Sequence, residues 1–216
     1  MEVAHVVLCP GMFCDPAMMW LSARDGGHTF DYFGHQHTRL SVADEARVVA
    51  DGLSNMDQPV GMIGHSFGAP VAYRAAQLAP ERVAWIALVC PAPIGELPFV
   101  PRLPAGHIID PVRFVNTVIQ NWGWFFNTCG ANNTPFAVAE TFAIASAGAH
   151  NIPIQVFSGD RDQLFGDEVA DQIGRLCDCE VEHYRDFGHM LPLEDTTGRV
   201  LSDIFAWGAE SSSVVH

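Results

Sequence analysis

The stretch Gly64-His65-Ser66-Phe67-Gly68 constrains this chain more than any other, because of what stands on either side of it. The run before it, Pro59-Val60-Gly61-Met62-Ile63, is apolar, and the run after it, Ala69 to Leu78, has a helical pattern. A strand that turns abruptly into a helix lifts the residue between them to the end of a sheet. Ser66 then accepts a strained backbone, while glycines at 64 and 68 let strand and helix approach closely. The start of a helix favours negative charge, so a hydroxyl placed there suits reactions in which charge develops on oxygen. Gly-x-Ser-x-Gly alone also occurs in ordinary turns. The strand before it and the helix after it make Ser66 a candidate nucleophile.

A nucleophilic serine needs a base, and the base needs an acid to orient it. Two later segments offer these groups. Ile152-Pro153-Ile154-Gln155-Val156-Phe157-Ser158 reads as a strand and ends in Gly159-Asp160-Arg161-Asp162. Val181-Glu182-His183-Tyr184 reads as a short strand and precedes Asp186-Phe187-Gly188-His189-Met190-Leu191-Pro192-Leu193-Glu194. Loops at the carboxyl ends of parallel strands are where open α/β sheets build their sites. Both Asp160 and Asp162 are placed to serve as the acid, and either can instead cap the helix that follows. Among the ten histidines, His65 adjoins Ser66, but neighbours in a sharp turn point in different directions. His183 falls within a strand pattern. His35 and His37 form an H-x-H pair with no convincing further ligands nearby, which reads as solvated loop histidines rather than a metal site.

Taken in order, these motifs resemble the α/β-hydrolase superfamily, in its small single-domain branch of serine esterases and C–C bond hydrolases. The resemblance covers nearly the whole chain. It rests on G-H-S-F-G, on G-D-R-D, on G-H-x-x-P-x-E from Gly188 to Glu194, and on Ala79-Pro80-Glu81-Arg82-Val83 leading into Trp85-Ile86-Ala87-Leu88-Val89-Cys90. It implies Ser66 as nucleophile, His189 as base and, through the family's G-x-x-D spacing, Asp162 rather than Asp160 as acid. It also implies an oxyanion hole made by the main-chain N–H groups of Phe67 and Met12. The first strand, Val3 to Cys9, ends in Pro10-Gly11-Met12-Phe13, where the family usually has His-Gly. The donor there is a backbone N–H, so the missing His side chain does not bear on it. Trp20 falls where the family often has a tryptophan. No metal or organic cofactor is implied.

Composition agrees. A chain of 216 residues with 49% hydrophobic and 17% charged residues suits one globular domain, 1–216, with a sizeable core. No run of about 18 apolar residues is present to span a membrane. No basic stretch and cleavage site mark a signal peptide, and the six cysteines are scattered, with Cys177-Asp178-Cys179 the one close pair. Cytoplasmic placement with reduced thiols is the expectation. The net charge is −14 and every basic residue is Arg, which disfavours nucleic acid and anionic membranes as partners. A small-molecule ester is the partner expected.

Strand and helix alternate, which predicts an α/β fold: a mostly parallel sheet of about six strands with helices on both faces. Helices are expected near 16–23, 41–53, 165–176 and 197–208, with a weak strand within 26–36 and a loose tail from Ser211. The sheet is expected to start at Val3, without counterparts of the family's two N-terminal antiparallel strands. Prolines at 91, 93, 98, 101, 104 and 111 interrupt the alternation, and the family carries a cap insertion there, about 91–151 here. Two helices, 110–120 and 135–147, flank Trp122-Gly123-Trp124-Phe125-Phe126. Trp122, Trp124, Phe125 and Phe126 are candidates for an apolar substrate pocket, or for anchors of the cap. The expected chemistry is hydrolysis of carboxylic esters through an acyl-enzyme. C–C bond hydrolysis, lactonase or thioesterase activity would use the same triad. A cofactor-free lyase or oxygenase, or a small-molecule receptor, is also compatible with such a fold.

Overall fold

The computed structural model of the chain describes residues 5–11, 29–31, 42–92, 94, 151–162 and 164–214. Among these, six strands form one sheet: β1 (His5–Cys9), β2 (Thr29–Asp31), β3 (Val60–His65), β4 (Val83–Val89), β5 (Ile154–Gly159) and β6 (Val181–Tyr184). Their order across the sheet is β2-β1-β3-β4-β5-β6, and every neighbouring pair is parallel. The helices are α1 (Val42–Leu53), α2 (Gly68–Leu78), α3 (Gly166–Cys177), the single turn α4 (Leu191–Glu194) and α5 (Arg199–Val214). This is the α/β hydrolase fold expected from the sequence.

The two faces of the sheet follow from the alternation of side chains along each strand. Val7 and Cys9 of β1, Met62 of β3 and Ile86 and Leu88 of β4 point to one side. There they meet the buried stripe of α1, Val42, Ala46, Val49, Ala50 and Leu53, together with α2 and Ala170 and Ile173 of α3. Val6, Leu8, Ile63, Trp85, Ala87 and Val89 point to the other side, against Val200, Leu201 and Ile204 of α5. Strands covered on both faces have no reason to alternate polar and apolar residues, which is why β3 and β4 read as continuous apolar runs.

Parallel pairing brings the carboxyl ends of the central strands to one edge. His65 of β3 is level with Val89 of β4, Val89 with Phe157 of β5, and Gly159 with Tyr184 of β6. The segments that follow these ends carry Ser66, Asp162 and His189.

The last helix departs from the expectation of a loose tail. It starts at Arg199 and runs to Val214, so Ser211 to Val214 are helical. Its first turn is fixed by the buried Asp195, whose carboxylate accepts the N–H groups of Arg199, Val200 and Leu201 at 3.0, 2.9 and 3.2 Å. Near its other end the Ser212 hydroxyl donates to the Gly208 carbonyl at 2.8 Å. A serine that bonds back to the preceding turn is satisfied inside a helix, so the serine run extends α5 instead of ending it. The proposed helix at 16–23 and the cap, including both of its expected helices, lie outside the described residues.

Candidate active site

Ser66 follows β3 directly and precedes α2, and its φ is 52°. The left-handed region costs a non-glycine residue about 1–2 kcal/mol. Backbone bonds hold it there: the Ser66 N–H donates to the Val89 carbonyl, and the Ser66 carbonyl accepts the N–H groups of Ala69 and Ala92, all at 3.0 Å. The flanking glycines are required by contact. A Cβ on Gly64 would lie 2.6 Å from the Gly68 carbonyl oxygen, and one on Gly68 would lie 1.8 Å from the Cys9 carbonyl oxygen. The obstruction in both cases is backbone, so no side-chain rotation relieves it.

His189 lies in the loop between β6 and α4. Its Nε2 is 2.8 Å from Ser66 Oγ and its Nδ1 is 2.9 Å from Asp162 Oδ2. Asp162 is buried, in the loop after β5. Its second oxygen, Oδ1, accepts the N–H groups of Leu164 and Phe165 at 2.9 and 3.1 Å. These bonds close the turn that leads into α3 but do not cap the helix, whose N-cap is Phe165 without a side-chain bond, so the capping alternative for Asp162 is not realised. Burial alone would push the Asp162 carboxyl up. The imidazole of His189 and the two backbone donors outweigh it and hold the group below the usual carboxylate range. An ionised Asp162 accepts a hydrogen bond from Nδ1–H, which leaves Nε2 free to accept from the Ser66 hydroxyl. The Phe165 ring meets the His189 ring edge-on, with centroids 5.2 Å apart.

Asp160 is not part of this line. Its Oδ1 accepts the Asp186 N–H at 2.9 Å, and it braces the start of the loop that leads to His189. His183 is also elsewhere, exposed on β6 and paired at 3.3 Å with both Asp167 and Asp171 of α3. Phe67 is buried at the start of α2, where backbone N–H groups lack intrahelical acceptors. Met12, the aromatic residues Trp122, Trp124, Phe125 and Phe126, and the pair His35 and His37 lie outside the described residues.

His65, set aside by the sequence reading, and Glu194, which it gave no role of its own, take part in the site's framework. His65 is buried on β3, and its Nε2–H donates to the His189 carbonyl at 2.8 Å. Glu194, the last residue of the G-H-x-x-P-x-E motif, accepts the Gly188 N–H on Oε2 at 2.6 Å. The motif itself was the signal for Glu194, since a fixed acid five residues beyond the histidine implies a partner within its own loop.

His65 makes stability depend on pH. Burial, reinforced by the neighbouring His189, lowers its pKa from 6.5 to about 3. Between those values the unfolded chain binds a proton that the folded chain does not. The contribution is complete above the unfolded value and is lost as pH falls below it. The expected loss is about 1.4 kcal/mol at pH 5.5 and about 2.7 kcal/mol at pH 4.5. Urea unfolding from pH 7.5 to 4.5 checks this: the native protein should lose about 2.7 kcal/mol more than His65→Gln over that range. Equal losses would mean that His65 does not stay neutral in the folded state.

The fold has counterparts among known proteins. A curated relative, pimeloyl-[acyl-carrier protein] methyl ester esterase of Methylococcus capsulatus, is 24% identical over an alignment of 224 residues covering 87% of each chain. Among solved structures, a thermophilic esterase from Thermogutta terrifontis superposes with a TM-score of 0.74 at 18% identity, covering 97% of this chain and 90% of that one. A carboxylesterase structure from the thaumarchaeon Nitrososphaera gargenis does so with a TM-score of 0.74 at 13% identity, over 97% and 92%. The sequence profile of the alpha/beta hydrolase family matches residues 6–205, which takes in the sheet, the strained serine and both partner loops. By that match and by the six parallel strands that carry the site, this chain belongs to the alpha/beta hydrolase family.

Proposed function

We propose that this protein hydrolyses carboxylic esters of small, mainly apolar substrates, with Ser66 as nucleophile. The observation that carries the reading is the unbroken line from Asp162 Oδ2 through His189 to Ser66 Oγ, at 2.9 and 2.8 Å, on a serine held in a strained turn. A methyl ester is what the name of the Methylococcus relative specifies, which favours ester bonds over the other acyl chemistries this fold hosts.

In this mechanism His189 Nε2 takes the Ser66 proton as Oγ attacks the ester carbonyl. Asp162 holds the Nδ1–H tautomer and stabilises the imidazolium that forms. The N–H of Phe67, with that of Met12 as second donor, stabilises the oxyanion. The imidazolium gives its proton to the departing alcohol. A water then loses a proton to His189, attacks the acyl-enzyme, and releases the acid and the serine. Trp122, Trp124, Phe125 and Phe126 supply the apolar acyl pocket in this reading. No step calls for a metal or an organic cofactor.

The test is a panel of p-nitrophenyl esters of increasing acyl length, run beside a fluorophosphonate label and peptide mapping. Turnover with the label on the peptide containing Ser66 is the expected result. A label on another serine, or a single slow covalent event without turnover, would overturn the reading.

A further inference from the structure

The backbone that carries His189 is clamped from several sides. The Arg161 N–H donates to the Phe187 carbonyl at 2.9 Å. The Cys90 thiol, at the end of β4, lies 3.6 Å from the Gly188 carbonyl. His65 donates to the His189 carbonyl, and Glu194 accepts the Gly188 N–H. Three of these contacts are made by neutral groups, and the fourth is made by a carboxylate. That carboxylate carries more than the clamp requires. Holding Gly188 takes one oxygen, yet Oε1 of Glu194 is also buried and has no hydrogen-bond partner among the described residues. An unpartnered buried carboxylate oxygen is costly, and an amide in its place would hold the same N–H.

We infer that Glu194 is a positioning residue with two tasks: it fixes the His189 loop through Gly188, and its negative charge stabilises the His189 imidazolium formed during the reaction. The inference rests on the triad reading above. The charged and titratable groups around Glu194 are His189 from its own loop, Asp162 from the loop after β5, and the Cys90 thiol from β4. His65 of β3 stands one step further off, behind His189. Asp195 is turned away into the start of α5. Burial raises the Glu194 carboxyl above its ordinary value, against the Gly188 N–H, the His189 charge and the Met190 N–H, which pull it down, while the Asp162 charge adds to the rise. The interaction between two charges is mutual, so a carboxylate favoured by the imidazolium favours the imidazolium in return.

The sign of the effect follows. Removing the charge makes His189 harder to protonate, so the neutral base persists to lower pH. In Glu194→Gln the acid limb of kcat/KM should move down by about half a unit to one unit. kcat should fall by no more than roughly 3- to 10-fold with KM nearly unchanged, because the lost interaction exists only once the imidazole is charged. Glu194→Asp, which restores the charge, should return the limb toward that of the native protein. The NMR titration of the His189 ring should shift in the same direction in Glu194→Gln, and it requires no turnover. Should the native protein cleave no ester, that titration still decides this inference while the esterase reading fails. A limb and a ring titration unmoved in Glu194→Gln, whatever its melting temperature, would reduce Glu194 to a loop brace and overturn the proposal.

Discussion

Ser66→Ala is expected to lower kcat toward p-nitrophenyl esters about 10⁶-fold, and His189→Ala to come within about tenfold of it. The double variant should be hardly worse than either single one. The reason is geometric. Oγ and Nε2 stand 2.8 Å apart and neither group does its work without the other, so removing one removes the shared step. Residual catalysis comes from substrate binding and the oxyanion donors alone. Ser66→Ala keeps the left-handed φ of 52°, with the same backbone bonds around it, so its melting temperature should stay close to the native value. A Ser66→Ala variant that folds and keeps more than about 1% of activity would mean that another group forms the covalent intermediate.

Much of this architecture was legible in the residue order because the fold repeats one physical device. The central strands are mostly apolar, and each chemical group sits in the segment just past a strand of the sheet. Ser66 follows β3, Asp162 follows β5 and His189 follows β6. Once the strands are parallel, groups far apart in sequence must share one edge of the sheet. The preference for Asp162 over Asp160 comes from the family's G-x-x-D spacing, and the structure places the two carboxylates differently. A carboxylate two residues further into the loop clears the strand end and reaches the histidine, while the nearer one is held back by the Asp186 N–H.

What the residue order left obscure depends on main-chain atoms. His65 bonds to a carbonyl of the histidine loop, a group that every residue carries and that no motif encodes. His65 and His189 are 124 positions apart, and only the pairing of β3 to β4, β4 to β5 and β5 to β6 brings them within 2.8 Å. His65 and Ser66, neighbours in a sharp turn, do diverge. Divergence carries its ring beneath the loop that holds His189. The end of α5 differs from the expected loose tail for a related reason. Serine competes with backbone hydrogen bonding in turns, but Ser212 turns that capacity back onto Gly208 and stays helical.

Asp162→Asn should lower kcat by about 10⁴-fold, whereas Asp160→Asn should change it by no more than a few-fold. The contrast rests on which proton each side chain governs. Asp162 Oδ2 accepts from His189 Nδ1 at 2.9 Å and so keeps Nε2 unprotonated toward Ser66. An asparagine at 162 can instead turn its NH₂ to Nδ1. The imidazole then carries its proton on Nε2, pointing at the serine it should deprotonate, and no negative charge remains beside the imidazolium. The backbone changes less, because the amide oxygen can still accept the Leu164 and Phe165 N–H groups now bonded to Oδ1. Activity should therefore fall far more than stability. Asp160 faces only the Asp186 N–H, on the exposed side of the loop, and an asparagine oxygen serves there equally well. Steady-state kinetics on one ester, with thermal unfolding of all three proteins, separates the cases. Equal small losses would mean that the acid is neither of these. A reversed order would mean that Asp160 governs the tautomer and that the 2.9 Å contact of Asp162 is a brace for the turn before α3.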